Sequence, residues 1–240
     1  MYAARGTVRS GAHAGLSQAR AIRGRNDRRT SRTTTRAAVD PATKISFPDA
    51  TPSGLVALGA GARVKRVAII DVKVYALCMY VDAVKAKDQR GKGLLAGDYD
   101  KELAIELARD VDGKTFYEAL DEALKPRIAE IATNLATKED EDGNFMASVA
   151  EAAELEEEKA LDALSDMRDG LIKLNLKQGT KMAISWTPKG ANKVGIEVQG
   201  ATKLEFDSTV FAQALLDVYV GSAPVAPAAA QAFEKGLASL

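Results

Sequence analysis

The chain has 240 residues, 46% of them hydrophobic, enough for one large domain with a sizeable core or for two small ones. Basic and acidic residues balance at 33 each, but residues 1–39 hold nine arginines and a single acid, Asp27, which leaves the remainder with 24 bases against 32 acids. An acidic main body lacks the basic footprint of a nucleic-acid binder, the lone Cys78 excludes an internal disulfide framework, and no run approaches the ~20 apolar residues of a membrane span.

The first 39 residues are rich in Arg, Ser, Thr and Ala and poor in acid, the composition of an organellar transit peptide, and the composition changes abruptly at Val39-Asp40. A disordered basic tail that meets an acidic partner has the same composition. Residues 40–240 are expected to form a single domain.

Thr43 to Pro48 reads as a short opening strand ended by proline, followed by turn chemistry from Asp49 to Gly54. The stretch from Gly59 to Val81 then dominates the chain. Arg63 to Ile70 is β-rich, a turn at Ile70-Asp71 is expected to fold it back as a hairpin, and Arg63 and Tyr75 should come to lie opposite each other. Strict alternation would set Val72, Val74, Ala76, Cys78 and Tyr80 on one face and Lys73, Tyr75, Leu77, Met79 and Val81 on the other. Because both faces are apolar after Tyr75, the strand belongs inside a sheet with material packed on each side.

Asp82 to Tyr99 has broken helical character, interrupted by Gly91, Gly93 and Gly97, and Glu102 to Ala108 alternates as a strand. A helix over Thr115–Leu135 is predicted by Phe116, Leu120, Leu124, Ile128, Ile131 and Leu135 at spacings of three or four, with a kink or break at Pro126. Lys138 to Gly143 is an acidic loop. A second helix from Phe145 to about Leu174 should bury Phe145, Val149, Ala152, Ala160, Leu164, Met167 and Leu171, with Glu151 to Glu158 as its solvated face. A meander follows: Lys181 to Thr187, a turn over Pro188–Asn192, Val194 to Gln199, a turn at Gly200-Ala201, and Lys203 to Phe206. Asp207 or Ser208 caps a helix ended by Gly221, and a last helix runs from about Ala228 to Leu237. Strands, then helices, then strands predict an α+β fold with helices over one face of a large antiparallel sheet.

Chemistry-bearing motifs are few. Gly59-Ala60-Gly61 lacks the third glycine of a dinucleotide loop and leads into a strand. Asp140, Asp142 and Gly143 hint at a calcium loop, but the first and last positions of that register are Lys138 and Val149. His13 is the only histidine and lies in the leader, so the body lacks the usual general base and zinc ligand. Cys78 and Trp186 read as core. Arg63 is either a surface residue or, if turned inward beside Tyr75, a cation that needs an anionic partner.

Gly59-Ala-Gly-Ala-Arg63, followed by Val72-Lys-Val-Tyr-Ala76 and the strand end Tyr80-Val81, resembles the chalcone isomerase family, and most closely its non-catalytic fatty-acid-binding branch in plastids. The resemblance extends over roughly Thr43 to Leu240 and includes the helix over Asp207–Gly221 with the following Ala223-Pro-Val-Ala-Pro227. It implies an open-faced β-sandwich, a large antiparallel sheet covered by a layer of helices with a cleft between the layers. The family's substrate-holding arginine matches Arg63, and its catalytic threonine position is Tyr75 here. The catalytic tyrosine matches Phe116, and an asparagine matches Ala123. Phe116 and Ala123 cannot donate the hydrogen bonds that stabilise an oxyanion. The resemblance therefore implies a non-enzymatic binder of free fatty acids in the chloroplast stroma, with no cofactor and no metal; the mitochondrion is the alternative destination, which leader composition does not separate from the chloroplast. The carboxylate would rest on Arg63 and Tyr75, and the tail would lie by Phe116, Leu120 and Ala123. A chalcone isomerase of residual activity and a non-catalytic partner of a biosynthetic enzyme are the alternatives. The acidic stretch from Thr137 to Glu158 departs from the family pattern.

Overall fold

The computed structural model describes residues 38–137, 147–187, 193–199 and 201–240. Most of the leader, the loop over 138–143, Phe145 and the turn over 188–192 lie outside them. Ala38–Val39 (β1), which composition places in the leader, pairs with Ser46–Phe47 (β2).

Two twelve-residue strands follow, Val56–Val67 (β3) and Ile70–Val81 (β4). Next come the short helices Ala83–Asp88 (α1) and Gly93–Ala96 (α2), then Lys101–Leu107 (β5) and Val111–Asp112 (β6). Two long helices, Gly113–Ala136 (α3) and Ala147–Leu171 (α4), precede Asn175–Leu176 (β7) and the meander Lys181–Thr187 (β8), Lys193–Val198 (β9) and Thr202–Asp207 (β10). Thr209–Val220 (α5) and Pro227–Ser239 (α6) complete the chain order.

The main sheet is antiparallel in the order β10-β9-β8-β5-β4-β3. Its helix-facing side carries Tyr75, Leu77, Met79, Leu103, Ile105 and Leu107, which pack with Phe116, Leu120 and Leu124 of α3, Leu164 and Met167 of α4, and Phe211 and Leu215 of α5. The opposite side of β4 has a thinner cover: Phe47 closes a small cluster with Ala76, Cys78 and Tyr80. There the Tyr80 hydroxyl donates to the Pro48 carbonyl at 2.8 Å, and burial pushes the Cys78 thiol up to about 12, so the cysteine is structural. Trp186 is core as expected, its indole N–H donating to the Ala212 carbonyl at 3.0 Å.

Several expectations are corrected. The hairpin turn falls at Ala68-Ile69, not Ile70-Asp71. Val67 pairs with Ile70, and Ala68 takes a φ of 54°, the positive angle that two-residue hairpin loops require. Alternation along β4 is not strict: Arg63 pairs with Tyr75 but Val64 pairs with Lys73, so Val74 is an extra residue in a bulge. The bulge exchanges the faces below it, and Val72 and Val74 join Tyr75 on the helix side. Lys73 turns to the other side, where its ammonium donates to the Ala42 carbonyl.

Pro126 does not break α3, because the buried stripe Leu120, Leu124 and Ile128 continues on both sides of it and packing holds the two halves as one helix. On α4 the buried alanine is Ala153, not Ala152, and Val149 is half-buried. Nor is the acidic run purely a solvated face. Glu156 accepts from the Thr209 backbone N–H at 2.8 Å and from Lys159 at 2.8 Å, tying α4 to the start of α5. Ser208, not Asp207, caps α5, accepting from the Phe211 N–H at 3.1 Å.

Candidate functional site

The Gly-Ala-Gly segment of β3 is shaped by close approach. A Cβ on Gly59 would stand 2.9 Å from the Ala232 carbonyl oxygen, and one on Gly61 2.5 Å from the Ala229 Cα. Helix α6 therefore lies directly on β3, and the next helix-facing position along the strand is Arg63. The two glycines serve packing and not phosphate binding.

At Arg63 the helical cover ends and a cleft of about 320 Å³ opens, within the usual range of small-molecule sites. Its floor is buried and aromatic: the Tyr75 and Phe116 rings stand 6.0 Å apart, tilted by 56°. Val72, Val74 and Ala119 supply apolar walls, and the exposed rim carries Lys65, Val67, Arg109, Asp110, Asp112 and Thr115. Both rim carboxylates are already engaged. Asp110 accepts from the Gln178 N–H at 2.8 Å and holds Lys177 at 3.1 Å. Asp112 caps α3, accepting from the Thr115 N–H at 2.9 Å.

The polar end of the cleft lies at its floor. Arg63 Nη1 donates to the Tyr75 hydroxyl at 3.1 Å, and the guanidinium carbon lies 5.6 Å from the centre of the same ring. Arg63 is half-buried and has no ion-pair partner among the described residues. Burial works most strongly against its charge, and Tyr75, with Tyr219 and the more distant Glu122 carboxylate, together outweigh it, so its pKa is raised. Beside the pair is Tyr219 of α5, fully buried, whose hydroxyl has no hydrogen-bond partner among the described residues. Burial first, and then Tyr75, drive the Tyr219 phenol well above its ordinary pKa, with Arg63 acting in the opposite direction. This corner therefore brings one guanidinium together with two tyrosine hydroxyls, an arrangement that can receive an anion.

Of the residues singled out from sequence, Arg63, Tyr75 and Phe116 meet in this cleft. Leu120 lies deeper, in the core between α3 and the sheet, and Ala123 is half-buried; neither lines the open cleft. Tyr219 escaped the sequence reading because its spacing with Leu215 and Val218 marks it simply as core. Val72 and Val74 escaped it because only the bulge brings them to this side, whereas Lys65 shares the face of Arg63 by simple alternation along β3. Among the described residues no cluster of His, Cys, Asp or Glu could hold a metal ion, and no helix is long and apolar enough to cross a membrane.

The six-stranded antiparallel sheet, its one-sided helical layer and the cleft between them are the open-faced β-sandwich of the chalcone isomerase-like fold. Among solved structures the chain is similar to the fatty-acid binding protein AtFAP1 of Arabidopsis thaliana, with a TM-score of 0.58 and 17% identity, covering 85% of this chain and 98% of that one. No family model and no curated protein matches the sequence.

Proposed function

We propose that the protein is a non-enzymatic carrier of free fatty acids of medium to long chain. The carboxylate is received by Arg63 and Tyr75, and the hydrocarbon tail lies against Val72, Val74, Phe116 and Ala119. One observation carries the reading: a half-buried arginine without an ion-pair partner among the described residues is held by a tyrosine hydroxyl at the inner end of an apolar cleft. A buried cation of this kind needs an anion, and a carboxylate accepts the planar two-point contact that a guanidinium offers. The fold shared with AtFAP1, a protein described as binding fatty acids, supports the same reading.

Phe116, which lacks a polar hydrogen, at the cleft floor and Ala123 away from it argue against isomerase chemistry, which needs donors at the developing oxyanion. The arginine-rich, acid-poor leader supports delivery to an organelle, and the family resemblance favours the chloroplast stroma over the mitochondrion. Native mass spectrometry of the protein with laurate or palmitate tests binding, and a protein that stays empty with both refutes it. Fusing Met1–Asp40 to a fluorescent reporter tests the destination, and cytosolic fluorescence refutes it.

A further inference from the structure

Below the bulge at Val74 the β3–β4 hairpin leaves the sheet. Strand β5 stops pairing at Tyr75–Leu107, and four further rungs, Val64–Lys73 through Val67–Ile70, continue as a two-stranded ribbon. At about 3.3 Å per residue the ribbon extends about 13 Å. Every residue from Val64 to Asp71 is exposed. Its end is apolar: Ile69 is 87% exposed, Ile70 65% and Val67 53%. The charges are set back from that end. Lys65, Arg66 and Lys73 stand against the single acid Asp71, which faces Arg66 across the ribbon. At the base, Arg63 and Arg109 lie with Asp110 and Asp112, both of which are already engaged.

An isolated two-stranded ribbon gains nothing in folding by exposing Ile-Ile at its end. A stable protein interface needs about 800 Å² from each partner, and the apolar end of the ribbon consists of the three side chains Val67, Ile69 and Ile70. A lipid surface needs no matching pocket. It takes an apolar tip into the acyl boundary and holds the basic residues behind it at the level of anionic headgroups. The ribbon is also continuous with the cleft, since Lys65, Val67 and Val72 belong to both.

We infer that the Val64–Lys73 ribbon docks on anionic lipid bilayers, with Ile69 and Ile70 entering the membrane and the cleft mouth facing the lipid. Its use in taking up or releasing fatty acid directly at the membrane rests on the function proposed above; the docking itself rests on the ribbon.

The test uses the protein with vesicles of phosphatidylcholine, alone or mixed in equal parts with phosphatidylglycerol, and separately with laurate in vesicle-free buffer. Wild type should float with the anionic vesicles and not with neutral ones, and added salt should weaken the association. Ile69→Ser, at an exposed position outside the cleft, should lower partitioning about tenfold or more and bind laurate as wild type does. Absence of wild-type flotation, or equal flotation of Ile69→Ser, overturns the docking whatever the laurate result. If laurate binding is absent while flotation is lost in the variant, the docking stands and the fatty-acid reading falls. A concentration-dependent dimer abolished by Ile69→Ser, without vesicle binding, assigns the tip to a second copy of the chain and overturns the proposal.

Discussion

Gly61 of β3 lies under Ala229 of α6 so closely that a methyl group on the glycine would stand 2.5 Å from the alanine Cα and 2.6 Å from its backbone nitrogen. The contact is with backbone, which cannot rotate aside, and it sets the height of α6 above the strand that runs on into the cleft. Gly61→Ala should therefore destabilise the fold by about 1–3 kcal/mol or more, as overpacking does. Gly91→Ala meets nothing within 4 Å and should change stability by less than about 0.5 kcal/mol. Urea denaturation midpoints check both, and equal midpoints would show that α6 is free to move off the strand.

Arg63 and Tyr75 should be separable by ligand chemistry. Removing one partner of a buried, hydrogen-bonded charge pair costs about 2–5 kcal/mol, so Arg63→Ala should weaken laurate binding roughly thirty- to several-thousand-fold. Arg63→Lys should recover only part of this, because an ammonium lacks the planar fork. Tyr75→Phe deletes one hydrogen bond to a charged group and should cost about 1.5–3 kcal/mol. Calorimetric titration with laurate and with methyl laurate checks the set. Wild type should bind the ester poorly, and equal binding of acid and ester would remove the carboxylate from Arg63.

Tyr219 should show a split response. Its hydroxyl is buried and unpartnered among the described residues, and leaving such a group unsatisfied costs about 1–3 kcal/mol. Tyr219→Phe should therefore leave the ligand-free protein as stable as wild type or more so, while laurate affinity falls. Thermal melts of delipidated protein together with the same titration read both halves. A loss of stability without a loss of affinity would make Tyr219 purely structural.

Lys101 predicts a pH dependence on the alkaline side. Its ammonium is buried at the start of β5, donating to the Gly97 carbonyl at 2.5 Å and the Tyr99 carbonyl at 3.3 Å, and burial lowers its pKa to about 8. The unfolded lysine titrates near about 10.4. Between those values the unfolded chain keeps the proton and the folded chain has lost it, so the unfolded state binds more protons and stability rises with pH. Wild type should gain on Lys101→Met by roughly 1.4 kcal/mol per pH unit within that window. Chemical denaturation of both proteins at pH 7, 9 and 10 measures the difference, and a constant difference would rule out the shift.

What local pattern determines is clearest in β4. From Tyr75 to Val81 the alternation of apolar side chains is an intrinsic property of a pleated strand, and the structure keeps it, with Leu77 and Met79 on the helix side and Ala76 and Cys78 on the other. The periodicity of Phe116, Leu120, Leu124 and Ile128 likewise predicted α3, and Ser208 was legible as a cap because its hydroxyl serves the adjacent N–H groups. Arg63 stood out because a charge beside a Gly-x-Gly strand start needs a partner if it turns inward.

The geometry of the cleft belongs to tertiary structure. Counted from the turn at Val67–Ile70, an uninterrupted ladder would set Arg63 against Val74; the extra residue at the bulge moves the partner to Tyr75 and turns Val72 and Val74 into the cleft. A bulge leaves little trace in a run such as Val-Lys-Val-Tyr, because every side chain there tolerates either face. Tyr219 lies 144 positions beyond Tyr75 in the chain, and only the packing of α5 onto the sheet brings their hydroxyls into one corner. Hydrophobic periodicity records that a side chain is buried. Which buried side chains meet depends on how the layers close, and that is decided by contacts between residues far apart in sequence.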